Sequence, residues 1–267
     1  MTFKQKLQNL IFPLGTIQKI RRGYLKGYKI RITENSLWSP IIGNWEPAMQ
    51  KIMVNVVREN TVAYDLGANN GLHGLLLSRI LGKKGLVINF EPLPGNVLEI
   101  DENFKMNMCT NYRNIKAAVS DKSGSAFLIA GEHPKQGHIG NITNNNTEIE
   151  VPVVTLDEII GKGNPLPQFI KIDIEGSEGE ALEGFSENIE KCFPEMVIEL
   201  HNPGQDAKVG YFLKKYGYSA FRFDPFKRLA FSEIKSLDHP YPNSEGIWGT
   251  VFCIPPGKTL TSYRFES

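Results

Sequence analysis

The stretch Val62-Ala63-Tyr64-Asp65-Leu66-Gly67-Ala68-Asn69-Asn70-Gly71 constrains this chain more than any other. An apolar run ends in an acid, a glycine-rich turn follows, and Leu72 to Leu81 reads as an apolar helix. That order is the first strand–turn–helix unit of a nucleotide-type binding site. Gly67 and Gly71 permit close backbone approaches that a Cβ would block. The turn opens on a helix N-terminus, whose free N–H groups and dipole favour a polar or anionic ligand group. Asp65, at the carboxyl end of the strand, faces the same crevice. An ordinary strand–helix turn has the same pattern, so the stretch fixes local structure before it fixes function.

A second acid adds the functional meaning. Gly85 to Glu91 reads as another strand, with Glu91 at its tip about 20 residues past the turn, where a Rossmann-like site bonds a ribose. Carboxylates at neighbouring strand tips suit a ligand with ribose hydroxyls and a cationic ammonium, and suit a pyrophosphate poorly. S-adenosylmethionine (SAM) meets that description better than NAD, and the third glycine of the dinucleotide fingerprint is missing.

Four motifs now stand in order: Asp65 to Gly71, Phe90-Glu91-Pro92, Val154-Thr155-Leu156-Asp157, and Lys171-Ile172-Asp173-Ile174-Glu175-Gly176-Ser177-Glu178. As a set they resemble the FkbM-type family of SAM-dependent methyltransferases, from about Glu46 to Ile254. The resemblance implies an α/β, Rossmann-like SAM-methyltransferase fold, SAM as cofactor, and O-methylation of a hydroxyl on a sugar, glycan or secondary metabolite. Ser177 stands where the family pattern has His.

Periodicity supports the same architecture. From Thr61 onward strands and helices alternate, which predicts a mostly parallel sheet with helices on both faces. Strands are expected near 61–66, 85–90, 112–118, 168–173, 195–200 and 218–223, with an antiparallel last strand over 248–254. Helices are expected near 46–58, 71–82, 94–107, 155–161, 178–190 and 205–216. Residues 124–130 and 148–154 alternate as an inserted hairpin around a Gly- and Asn-rich stretch that holds His133 and His138. Residues 46–267 then form one methyltransferase domain, preceded by an N-terminal extension over 1–45. In residues 1–27, apolar positions mix with Lys19, Arg21, Arg22 and Lys26, which suits either a surface helix that docks on a membrane or partner, or a packed extension. Tyr28 to Thr33 alternates as a short strand.

Composition excludes several classes. Lys+Arg 30 against Asp+Glu 29 gives net +1, so no global field points to nucleic acid. Cys109, Cys192 and Cys253 are dispersed, with neither metal-ligand spacing nor a disulfide framework, which fits a cytoplasmic protein. No apolar run approaches a membrane span, and Met1 to Leu10 is no secretory signal. The sequons at Asn141 and Asn145 therefore carry no expectation of glycosylation. Oligomeric state is open, and a homodimer is compatible with the sequence.

In an open α/β sheet, ligands sit outside the carboxyl ends of the strands. The SAM reading gives Glu91 the ribose hydroxyls, and Gly67, Asn69 and Gly71 the methionine portion. Asp65 sits near the ammonium, directly or through water. Ala118 and Val119 face the adenine, although strand-end packing explains them equally well, and Pro92 is counted among the cofactor-binding residues. Asn69 either bonds the ligand or caps the helix. Methyl transfer needs the acceptor held in line and a destination for its proton. The catalytic candidates are Asp173, Glu199 and His201, with Glu175 nearby. An imidazole titrates near working pH, so His201 serves as general base, joins a carboxylate–histidine metal set, or simply caps its strand. The expectation is chemistry without a metal. Glu178 is read as charging its helix N-terminus, and Lys171 as a stem along the sheet. The different-class alternative is a SAM- or nucleotide-binding protein without methyl transfer, which would need Glu91 but neither Asp173 nor His201.

Overall fold

The computed structural model describes residues 11–33, 39–43, 45–130, 137–139, 148–200, 204–224, 230–235, 237 and 249–265, with backbone alone at 129–130, 137–139, 148, 224 and 230. The first elements are β1 (Ile17–Lys19), β2 (Lys29–Arg31), α1 (Ser39–Ile42) and α2 (Pro47–Val56). The alternating part begins with β3 (Val62–Leu66), α3 (Leu72–Leu81), β4 (Leu86–Phe90), α4 (Pro94–Met106) and β5 (Tyr112–Ile115). A side sheet contains β6 (Ala118–Val119), β7 (Gly124–Ala130), β8 (Gly137–Ile139) and β9 (Glu148–Val154). The chain then returns through α5 (Leu156–Gly161), β10 (Phe169–Ile172), α6 (Glu178–Glu183), α7 (Ile189–Cys192) and β11 (Glu195–Leu200). It ends with α8 (Gln205–Lys215), β12 (Ser219–Asp224), β13 (Ala230–Glu233) and β14 (Gly249–Ile254).

The main sheet runs β13-β12-β14-β11-β10-β3-β4-β5. Strands β5, β4, β3, β10 and β11 are mutually parallel, and β14 is antiparallel to both β11 and β12. This is the expected Rossmann-like α/β architecture with an antiparallel last strand. From β3 the chain moves outward through β4 to β5, passes through the side sheet and returns to β10 on the other side of β3, so the topological switch falls between β3 and β10.

Strand periodicity divides the core. Ala63, Val87, Phe169, Val197 and Phe252 join the N-terminal segment, α2 and α3 on one face. Tyr64, Ile88, Ile170, Met196 and Val251 meet α5 to α8 on the other. Burial on both faces explains why these strands read as continuous apolar runs.

Two expectations are corrected. The strand over 112–118 is two: Ala117 N–H bonds the Ile115 carbonyl at 3.0 Å, turning the chain out of the main sheet so that Ala118 and Val119 pair with Val153 and Val154. The helix over 178–190 is also two. Gly184 lies so close to the Ser120 carbonyl that a Cβ would stand 2.2 Å from its oxygen, and Asp157 bonds Glu187 N–H and the Asn188 amide at 2.9 and 2.8 Å. Residues 11–33 follow the packed alternative: they form the β1–β2 hairpin, with β2 inside the strand expected over 28–33, and Ile20, Ile30 and Ile32 bury in the core. Strands β8 and β13 were not foreseen. The sequons lie outside the described residues, as do His133, Trp248 and residues 1–10.

Asn107 fastens the hairpin to α4: its amide oxygen accepts Lys29 N–H and its amide nitrogen donates to the Lys29 carbonyl, both at 2.7 Å. Asn107→Ala is expected to cost about 1–2 kcal/mol for these exposed bonds, read as a lower urea midpoint, with faster proteolysis confined to the hairpin.

Candidate active site

The register of two parallel strands brings the central charges together. Asp65 on β3 pairs with Lys171 on β10, and both point to the face that carries Ala63 and Phe169. Lys171 is 1% exposed and Asp65 0% exposed. The Lys171 ammonium lies 3.1 Å from Asp65 Oδ1 and 3.5 Å from Asp173 Oδ2. It also donates to the carbonyls of Leu66 at 3.2 Å and Gly67 at 2.8 Å. Burial alone would push the ammonium toward neutrality, but Asp65, Asp173 and Glu46 outweigh it and hold Lys171 charged above its ordinary range.

Above this floor opens a cleft. Gly67, Asn69, Glu91, Pro92, Ala118, Val119 and Asp173 line it together, with Leu93, Leu128, Glu175 and Ser177. The glycine turn and the loop after β10 meet at Gly67, whose φ is 75° and where a Cβ would stand 1.9 Å from the Asp173 carbonyl oxygen. No side chain fits there. Three predicted residues, Asp65, Gly71 and Glu199, lie off the cleft wall. Asp65 is beneath it, against Lys171, and Gly71 packs on Ile100 and Phe104 as the N-cap of α3. His201 is outside the described residues.

Glu91 is 5% exposed and already engaged. Its oxygens accept Asn69 N–H at 2.8 Å, Leu93 N–H at 3.0 Å and the Asn96 amide at 3.1 Å, three of the about four positions a carboxylate offers. Burial raises its pKa to about 7 against the pull of these donors. Glu178 turns back to accept Gly176 N–H at 2.9 Å, so its carboxylate orders its own loop.

Beyond Asp173 stands an acidic group that the sequence reading met only in part. Glu46, Asp173 and Glu199 each bring a carboxylate oxygen within 4.8 Å of the others. Such oxygens could ligate a divalent cation, yet the Lys171 ammonium beside Asp173 already supplies positive charge there. Glu46 caps α2 in the left-handed region, at φ 37°; its carbonyl accepts Gln50 N–H at 3.1 Å, but its side chain makes no cap bond. Its carboxylate instead reaches His73 Nε2 at 3.1 Å, and the His73 ring stacks on Trp45 at 4.2 Å. Burial would raise the Glu46 pKa, but His73 prevails and holds it below the ordinary value. A lysine inside a buried strand was the available signal for Lys171; nothing local marked Glu46.

The FkbM methyltransferase domain matches residues 65–220, more than half of the chain. The chain belongs to the FkbM methyltransferase family. It is a SAM-dependent methyltransferase, and the matched domain contains the cleft's glycine turn, Glu91 and the loop after β10. The hexuronic acid methyltransferase AglP of Haloferax volcanii is 26% identical over 222 residues, spanning 78% of this chain and 87% of that protein. Among solved structures, the FkbM methyltransferase of Methylobacillus flagellatus is similar at 18% identity and TM-score 0.48 over 74% of this chain, which spans 44% of that one. The precorrin-6y C5,15-methyltransferase of Geobacter metallireducens is similar at 12% identity and TM-score 0.46, over 80% of this chain and 90% of that one. Among the described residues, no helix is long and apolar enough to cross a membrane.

Two predictions follow from the geometry. Glu91→Ala is expected to weaken SAM binding roughly ten- to hundredfold, the loss of one or two charge-assisted bonds. If Glu91 holds the ribose, wild-type affinity should also improve as pH rises through about 7, because a bound ribose hydroxyl would donate to the ionised carboxylate. The folded apo-protein holds this proton where the unfolded chain has released it, so Glu91's contribution to stability is greatest in acid and declines through that window. Calorimetric titration of wild type and variant across pH measures both effects.

Lys171→Met strands the buried Asp65 carboxylate, removes the cation beside the partly exposed Asp173, and is expected to cost about 3–5 kcal/mol. Adding Asp65→Asn should recover much of that loss. Urea unfolding of the single and double variants gives the coupling.

Proposed function

We propose that the chain transfers the methyl group of SAM to a hydroxyl of a sugar or glycan. The observation that carries this reading is the similarity to a hexuronic acid methyltransferase over most of both chains. Asp173 belongs both to the cleft and to the carboxylate group with Glu46 and Glu199, so cofactor and acceptor would meet at that side chain.

In this reading Glu91 takes a ribose hydroxyl on the acceptor position its internal bonds leave open. Pro92, Leu93, Ala118, Val119 and Leu128 offer apolar surface to the adenine. Gly67 and Asn69 border the methionine portion, with Gly71 setting the turn. Asp65 acts through Lys171 and not by direct contact. SAM brings an electrophilic methyl on a sulfonium, and the chain's own task is to orient the acceptor hydroxyl and receive its proton. Asp173 and Glu199 orient it, and His201 is the proposed base. The proposed setting is the cytoplasm, in keeping with thiols that are all free.

The test is methyl transfer from labelled SAM to a panel of methyl glycosides and methyl uronides, with the ether located by NMR. Transfer to a hydroxyl is expected. SAM binding without transfer to any sugar would leave the binding-protein reading standing. Asp173→Asn should lower kcat by roughly 10²–10⁴ while SAM affinity changes less than about tenfold. Turnover is expected to survive EDTA; loss with EDTA and recovery with Mg²⁺ would make the carboxylates ligands.

A further inference from the structure

The N-terminal hairpin carries a charge distribution that methyl transfer does not use. Residues 1–33 contain eight Lys or Arg and no Asp or Glu, a formal +8. The whole chain is +1, so the remaining residues sum to −7. The chain is nearly neutral only on average; its basic charge is concentrated at one end.

The hairpin sorts its side chains by face. Ile20, Leu25, Ile30 and Ile32 are buried in the core shared with α2 and α3. Asn107 clamps one strand, and Arg79 donates to the Tyr24 carbonyl at 2.8 Å, so the outer face is held in place. On β1 and β2, Ile17 and Lys19 stand opposite Arg31 and Lys29 on that outer face. Lys19, Arg21, Arg22, Lys26 and Lys29 are all exposed. So are large apolar side chains that the hairpin does not need for its own core: Ile11 at 57%, Leu14 at 44%, Ile17 at 50% and Tyr24 at 43%. The other exposed large apolar residues among those described, Leu98, Met108, Phe127 and Tyr211, are scattered through the sequence.

We infer that this face docks the enzyme on an anionic phospholipid surface. Basic side chains would meet the headgroup charge, and Leu14, Ile17 and Tyr24 would enter the interfacial layer. Charge alone would serve a nucleic acid equally well. The aliphatic residues decide for lipid: isoleucine and leucine gain by leaving water for an acyl boundary, whereas single-stranded nucleic acid is held by aromatic stacking and arginine. Anchoring of this kind is peripheral and reversible, because each basic residue near an anionic leaflet strengthens binding only about fivefold.

The test is co-sedimentation of the full chain with vesicles of phosphatidylcholine alone or with phosphatidylglycerol. Binding is expected only to the anionic vesicles, and weaker at high salt. The triple variant Arg21→Glu, Arg22→Glu, Lys26→Glu should bind at least about a hundredfold more weakly. Leu14→Ser with Ile17→Ser should weaken binding at unchanged charge. SAM affinity should be unchanged in both variants, which shows that they fold. Equal sedimentation with both vesicle types, or none with either, overturns the inference. Tighter binding to an RNA oligonucleotide, indifferent to Leu14→Ser and Ile17→Ser, overturns it in favour of nucleic acid. Self-association in sedimentation velocity that Ile17→Ser abolishes overturns it in favour of a second copy of the chain.

Discussion

The buried ammonium of Lys171 is the interaction on which the site depends. A charge so fully removed from water is tolerated only when its donors are satisfied and an opposite charge stands beside it. Here Asp65 supplies the charge from the neighbouring strand, and the carbonyls of Leu66 and Gly67 take the remaining donors. One ammonium thereby ties the end of β3, the first residue of the glycine turn and Asp173 after β10. These lie on either side of the topological switch, where the sheet has no continuous backbone to hold its two halves in register beyond the strand ends. Hydrophobic burial fixes where the strands lie; this polar contact fixes where their loops go.

Glu91 occupies a comparable position on the other wall. By accepting from Asn69 and Leu93 it joins the glycine turn to the loop after β4 before any ligand arrives. Asn103 extends the connection outward, since its amide donates to the Asn70 carbonyl at 2.9 Å while its oxygen accepts Arg31 N–H at 3.4 Å. The N-terminal hairpin is thus one side chain removed from the cofactor turn. The burial that makes Glu91 useful to a ribose also makes its charge costly in the empty cleft, a conflict of the kind functional sites retain.

The sheet was legible because β3, β4 and β10 are short, largely apolar runs that end at Leu66, Phe90 and Ile172, with turn or acidic residues immediately after. The cleft residues followed from that rule, since Gly67, Asn69, Glu91 and Asp173 all lie just past strand ends. What could not be read were contacts that depend on register or on distant segments. Whether Lys171 ends beside Asp65 or beside a residue one step away depends on strand pairing, which periodicity leaves open. Glu46 lies 127 residues before Asp173, and only the docking of α2 brings the two together. Of the four motifs, Val154 to Asp157 proves architectural: Thr155 caps α5 and Asp157 fastens the loop before α7. A motif that marks the family does not by that fact touch the substrate.

The place of β14 has a consequence for how the protein is made. This strand enters between β11 and β12, so those two, though consecutive in the chain's strand order on that side, never bond each other. During synthesis β11 and β12 both emerge with bare edges and wait for residues 249–254. Until then the half of the sheet that presents Glu199 is open to any other strand in reach, including that of a neighbouring nascent chain. Between the emergence of β11 and that of β14 the growing chain therefore carries a strand edge that only later residues cover.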